Sequence, residues 1–367
     1  MQYQREHGCR AWLTYGQLSY QTLRMLLETY GSAAELYNSL HESPSWVDKL
    51  TPLQRQRLFQ HGTPEAMHTL MVTMQKHDIG ILSIEDDEYP MALKQIDDPP
   101  MLLFYRGDLS CLERRCIAMV GSRKASVHGV DAARRIAAGL AEQGITIVSG
   151  LAMGIDGACH QGAIDAGAPT CAVMGCGLDI AYPAEHQKLH QAILDGDGVL
   201  LSEYPPGAPA LSWHFPVRNR ILSGLCRAVV FVEGQVKSGS MSTIAHALEQ
   251  GRDVFAYPGR VDTPWSEGAC TLIREGAVLC TSARDILESM GWDRRDARPA
   301  TREEMKSLPP LNPIQQRVLA QLSMDDLSFD QLTAALQVAP AELSTALTML
   351  QLMGLIRPLP GKIYSKI

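Results

Sequence analysis

What the chain lacks narrows it first. No apolar run is long enough to cross a bilayer, which takes about 20 residues. The start, MQYQREHGCR, has no apolar core of a secretory signal, so a cytoplasmic protein is expected. Nine cysteines contain no C-x-x-C pair, and Cys171 and Cys176 stand apart from other ligand types. That points away from structural zinc and a disulfide framework and toward reduced thiols. Positive charge is not in excess either: 33 Lys and Arg face 40 Asp and Glu, a net charge of -7. The balance excludes a uniformly basic nucleic-acid binder but leaves room for a local basic groove. H-E-x-x-H is absent, as is the strand–G-x-S-x-G–helix setting of a hydrolase nucleophile. No metal and no cofactor are expected.

What is present reads as a folded, multidomain chain. Its 367 residues are 46% hydrophobic and 20% charged, enough for two or three cores. Residues 1–76 read as a small helical domain. Ser32 with Glu35 fits a capping box, and Thr51-Pro52 and Thr63-Pro64 read as N-caps followed by proline. Leu23, Leu26, Leu27 and Tyr30 form one apolar stripe. Over residues 77–291 apolar runs alternate with helix-like segments, and several runs end in glycine: IAMVG, ITIVSG, TCAVMG, AVVFVEG, VFAYPG. Continuous apolar strands separated by helices predict a doubly wound parallel sheet, with ligands beyond the carboxyl ends of its strands. GILSI and LLFYRG could extend the sheet. Residues 292–309 are charged and proline-rich, a linker. Residues 310–367 read as three helices and a hairpin, the winged-helix arrangement.

Two glycine loops carry the chemistry. In CIAMVGSRKASVHG a strand stops at Gly121, and Ser122 and Arg123 open a presumed helix, the form of an anion site at a helix N-terminus. In VEGQVKSGSMST the spacing of Gly234 and Gly239 is that of a P-loop, G-x-x-x-x-G-K-[ST]. Ser240 stands where the phosphate-reaching lysine belongs and Met241 where the magnesium hydroxyl belongs. Such a loop can bind phosphate through Ser238, Gly239, Ser240 and Thr243 without transferring it. A dinucleotide site fits poorly: in GCGLDI the third glycine of G-x-G-x-x-G is Ile180, and Pro183 follows. Between the loops lies WHFPVRNRILSG. Arg218, Asn219 and Arg220 are donors suited to phosphate, and Phe215 offers a face for an unpaired base. Asp156 and His160, four apart on a predicted helix, could face one another or could be a capping aspartate and a buried histidine. Glu203 ends a strand with no obvious partner.

Together these stretches resemble the DprA/Smf family of DNA-processing proteins. The likeness runs through VGSRKASVHG, VSGLAMGIDGACHQGAIDAG, VMGCGLDIAYPAEH, LLSEYPPG, FPVRNRILSGL, VVFVEGQVKSGSMSTIAHALEQGRDVFAYPG and EGACTLIREGA, in order. It implies an extended Rossmann-like domain that binds single-stranded DNA without a nucleotide cofactor. It also implies loading of RecA recombinase during natural transformation, homodimerisation through this domain, and no enzymatic activity. Gly121, Ser122, Arg123, Arg218, Asn219, Arg220, Ser238, Gly239, Ser240 and Thr243 would line one phosphate pocket. The flanks resemble a sterile-alpha-motif-like domain and a winged helix. The presumed recognition helix, PAELSTALTMLQLMG, has no basic residue; Arg357, Lys362 and Lys366 lie in or beyond the wing. That favours protein or weak backbone contact over base readout. The alternative is a Rossmann-type enzyme acting on a nucleoside monophosphate.

Overall fold

The computed structural model describes residues 2–42, 45–260, 263–292, 312–322, 327–352, 355–359 and 363–366. The linker expected at 292–309 lies outside these after residue 292, as does Lys362. The chain forms two compact units, Met1–Ser289 and Met290–Ile367.

The first unit opens with α1 (Gln2–Tyr15), α2 (Tyr20–Tyr30), α3 (Ala33–Ser39), α4 (Pro52–His61) and α5 (Pro64–Lys76). The caps explain their starts. Thr51 and Gln54 form a reciprocal capping box before Pro52, and the Thr63 side chain accepts from Ala66 N–H before Pro64. Ser32 accepts from Glu35 N–H. The Glu6 carboxylate accepts from Ala33 and Ala34 N–H at 2.9 Å each, so α1 also holds the start of α3. Trp12, Leu26, Leu36 and Leu58 bury the helices' common face.

The sheet has nine strands: β1 (Gly80–Ser83), β2 (Leu102–Gly107), β3 (Cys116–Val120), β4 (Thr146–Ser149), β5 (Thr170–Met174), β6 (Val199–Ser202), β7 (Ala228–Phe231), β8 (Asp253–Ala256) and β9 (Val278–Leu279). Their order is β1-β2-β6-β5-β4-β3-β7-β8-β9. From β6 to β9 all pairs are parallel; β1 and β2 join antiparallel at one edge. GILSI and LLFYRG thus extend the sheet as expected. The chain steps outward from β3 to β6, returns beside β3 as β7, and steps outward the other way. The order reverses between β3 and β7, where doubly wound sheets hold their ligands.

Eight helices connect and cover the strands: α6 (Met91–Lys94), α7 (Val127–Ala141), α8 (Ile155–Asp165), α9 (Gln187–Asp195), α10 (His214–Gly224), α11 (Met241–Glu249), α12 (Glu267–Arg274) and α13 (Ala283–Ser289). Side chains alternate across the sheet. Ala118, Val120, Val173 and Phe231 meet Ile221 and Leu222 of α10 and Ile244 of α11 in one core. Ala172, Met174, Leu200 and Phe104 meet Ile193 of α9, Ala11 of α1 and Leu70 and Met74 of α5 in another. The N-terminal helices therefore share a core with the sheet. Burying one such Leu or Phe contributes about 1.5–3 kcal/mol.

The second unit packs α14 (Pro313–Leu322), α15 (Phe329–Leu336) and α16 (Pro340–Leu352) with strands β10 (Leu327–Ser328), β11 (Ile356–Leu359) and β12 (Ile363–Lys366), ordered β10-β12-β11. Val318, Leu332, Leu343, Leu347 and Leu350 form its core. This is the expected winged helix. Arg357 lies on β11, and α16 carries no basic residue.

Candidate nucleic-acid interface

β3 and β7 run in register, Val120 opposite Phe231, so the loops after them leave the sheet side by side. Ser122 N–H donates to the Glu233 carbonyl at 2.6 Å, and Ile155 N–H to the Ser122 carbonyl at 3.1 Å. A Cβ on Gly121 would stand 2.6 Å from Ile155 Cγ1 and 2.7 Å from that same Glu233 carbonyl. The close approach requires glycine. Gly121 to Lys124 form one wall of a groove of ≈ 550 Å³.

The expected helix does not start at this loop. α7 begins at Val127, with Ser126 as its N-cap. The anion at its N-terminus belongs to the protein. Glu233, directly after β7, accepts from Ser126 N–H at 2.7 Å and from Ser126 Oγ at 2.5 Å. Ser126 Oγ in turn accepts from Gly129 N–H at 3.0 Å. A carboxylate is well placed there, against free N–H groups and the positive end of the helix dipole. Glu233 lies 107 residues from Ser126, so no local pattern could have paired them. Gly121, Ser122 and Arg123 remain as groove wall, with the N–H of Arg123 unbonded among the described residues.

The loop from Gly234 to α11 forms the opposite wall. Ser238, Gly239, Ser240 and Thr243 all line the groove. Ser238 and Ser240 hydroxyls pair at 2.9 Å, and the N–H groups of Gly239 and Ser240 have no acceptor among the described residues. Asn219 holds this loop from α10: its Nδ2 donates to Ser242 Oγ at 2.8 Å and to the Gly239 carbonyl at 3.4 Å.

Helix α10 separates the three polar residues that the sequence ran together. Successive residues turn by about 100°, so Arg218 and Arg220 lie on nearly opposite faces. Arg218 and Asn219 face the groove. Arg220 does not: it lines a second pocket, and its guanidinium donates to both oxygens of Glu203 at 2.7 and 2.8 Å and to Asp98 at 3.1 Å. Burial alone would lower its pKa, but Glu203 and Asp98 hold it raised. Its charge is satisfied inside the protein. Glu203 therefore has a partner, contrary to the expectation from sequence.

Arg218 is buried at the groove floor. A Cβ on Gly150, after β4, would fall 2.5 Å from both terminal nitrogens of Arg218, so that glycine makes the room. The guanidinium donates to the Val173 carbonyl, and its Nε has no partner among the described residues. Burial lowers its pKa to about 10, with Asp156 acting the other way. Asp156 is pushed up by burial, against the pull of Arg218 and of the Ala152 and Gly150 N–H groups. His160 does not pair with it; its Nδ1 meets Thr170 Oγ1 at 2.8 Å. His160 is the buried histidine, but Asp156 is no cap: the N-cap of α8 is Gly154, and Asp156, in the first turn, accepts from the Ala152 N–H upstream at 3.4 Å.

Arg123 and Lys124 are exposed at the rim. The Arg123 guanidinium stands 5.1 Å from the Phe215 ring centre, and Tyr182 stacks on Phe215 at 5.6 Å. Sequence reasoning missed Lys124, although it directly follows Arg123, and Tyr182, whose contact depends on the fold. The groove thus offers three cations, unbonded amides, hydroxyls and an aromatic face. It has the means to bind phosphate and neither the lysine nor the hydroxyl of a phosphoryl-transfer loop.

The fold is thus a Rossmann-like domain with a crevice of cations, amides and hydroxyls at its switch point. Comparison with known proteins places it. Residues 80–291 match the family described as DNA recombination-mediator protein A, and residues 302–362 match the DprA winged helix domain. The chain belongs to the DNA recombination-mediator protein A family. It is 48% identical over 205 residues to the DNA processing protein DprA of Streptococcus pneumoniae, covering 56% of this chain and 72% of that one. The solved structure of DprA from Streptococcus pneumoniae has a TM-score of 0.64 at 40% identity, over 76% of this chain and 95% of that chain. A Helicobacter pylori structure, described as showing a single-stranded DNA binding mode of DNA processing protein A, has a TM-score of 0.53 at 28% identity. It covers 59% of this chain and 97% of that chain.

Proposed function

We propose that the groove between the β3 and β7 loops holds the backbone of single-stranded DNA. In this role the protein protects incoming DNA and loads RecA recombinase during natural transformation, acting in the cytoplasm as a homodimer and without catalysis. The observation that carries the proposal is the composition of the groove. Arg123, Lys124 and Arg218 supply charge, and the Gly239 and Ser240 amides supply neutral donors. Phe215 supplies a face on which a base can stack. The family's description as a recombination mediator, and the binding mode named for the Helicobacter pylori relative, support the same reading.

Titration with single-stranded DNA, duplex DNA and mononucleotides side by side tests it. Single strands should bind most tightly. Each neutralised phosphate contributes about -0.7 to the slope of log K against log salt, so three groove cations give roughly -2. Salt-independent binding, or turnover of a mononucleotide, would overturn the proposal.

A further inference from the structure

A second pocket, of ≈ 300 Å³, lies where the N-terminal helices meet the sheet. We infer that it is a subsite for one unpaired base of the bound strand, selecting bases that carry an exocyclic amine. The inference rests on the single-stranded DNA reading of the groove.

Its position follows from α10. Phe215, Arg218 and Asn219 face the groove, whereas Trp213, Val217 and Arg220 line the second pocket. The two sites flank the first turns of one helix. Trp213 is 46% exposed at the pocket mouth, so a strand leaving the groove past Phe215 meets its ring next. The walls are the right kind for a ring: Trp213 and Tyr204 with Leu23 and Leu27.

The electrostatics select what enters. The two cations of the lining are already paired, Arg220 with Glu203 and Asp98 and Arg10 with Glu6 and Glu85, so the rim presents carboxylate to an incoming group. A phosphate is repelled and stays in the basic groove. An amine is attracted. Asp98 Oδ2 is engaged by Arg220, while Asp98 Oδ1 accepts no hydrogen bond among the described residues and its side chain is 59% exposed. A carboxylate oxygen of this kind accepts from the N4 amine of cytosine. Thymine has no exocyclic amine, and its one ring donor, N3–H, lies between two carbonyl oxygens that a carboxylate repels. Stacking on Trp213 supplies affinity, and Asp98 supplies the preference.

The test uses the full chain with oligo-dC and oligo-dT of equal length. The wild type should prefer oligo-dC by about fivefold or more. Asp98→Ala should bring the ratio close to one while leaving oligo-dT affinity and the salt slope unchanged, since Arg220 keeps both bonds to Glu203. Trp213→Ala should weaken both oligonucleotides by about tenfold, the loss of one stacked base. Trp213 emission should be quenched on binding. If wild type binds DNA with the expected salt slope but neither variant changes affinity or ratio, the subsite is wrong and the groove stands. If wild type binds no single strand at all, the groove itself is wrong. Equal binding of oligo-dC and oligo-dT by the wild type would refute the amine preference.

Discussion

Replacing Arg123 by alanine isolates the charge of the groove from its architecture. The side chain is exposed and makes no ion pair among the described residues; its recorded contact is the Phe215 ring at 5.1 Å. Losing an exposed cation–π contact costs the fold at most about 0.5–1 kcal/mol. The loop backbone is held independently, by Ser122 N–H on the Glu233 carbonyl and Ile155 N–H on Ser122. A charge-assisted hydrogen bond to phosphate contributes on the order of 1.5–3 kcal/mol. Arg123→Ala should therefore weaken single-stranded DNA binding by roughly 10- to 150-fold, at about 1.4 kcal/mol per tenfold. Arg123→Lys should recover only part, because an ammonium lacks the guanidinium's planar fork. The assay is titration of a labelled oligonucleotide, with thermal melts as control. A folded Arg123→Ala protein that binds as the wild type does would show that phosphate does not pass this wall.

Gly239→Ala asks the same question from the opposite wall: a Cβ there meets no protein atom within 4 Å, so melts should be unchanged while DNA affinity drops if a phosphate lies against that backbone. A fragment of residues 1–289 should keep most of the DNA affinity, whereas one starting at residue 78 should lose stability in urea, because Ala11, Leu70 and Met74 share a core with Phe104 and Leu200. Burial holds His160 neutral down to about pH 3, while the unfolded histidine takes a proton near pH 6.5, so acid favours unfolding. Between pH 7.5 and 5.5 this linkage removes about 1.4 kcal/mol, a share of the shift in urea midpoint that His160→Gln should remove, while His190 and His214, also depressed by burial, keep theirs.

The sheet was legible because its strands are buried on both faces and therefore continuously apolar. IAMVG, TCAVMG and AVVFVEG each became a central strand. Helix starts at Thr51 and Thr63 were legible because an N-cap and a following proline are local signals. What composition could not show is which helices share a core with which strands. The N-terminal helices read as self-contained, with their own stripe at Leu23, Leu26 and Leu27. Yet Leu70 and Met74 of α5 pack with strand residues, and only the fold brings them there.

The site divides along the same line. Gly121, Ser122, Arg123, Ser238, Gly239, Ser240 and Thr243 line one groove, and they were singled out because their segments follow β3 and β7, at whose carboxyl ends a doubly wound sheet holds ligands. Arg220 was misplaced because adjacency in sequence was read as adjacency in space. Within a helix it means the reverse, and the helical turn that aims Arg218 at the groove aims Arg220 at Glu203. Glu233 was overlooked for a related reason. A strand-to-helix loop advertises a vacant helix N-terminus, but the N-terminus of α7 is filled by a carboxylate from the neighbouring strand's end. That carboxylate ties the two loops together across the switch point. On the single-stranded DNA proposal, the external anion is left to the loop amides and cations beside it. Removing one cation should therefore reduce affinity and spare the fold, whereas removing Glu233 should disturb both loops at once.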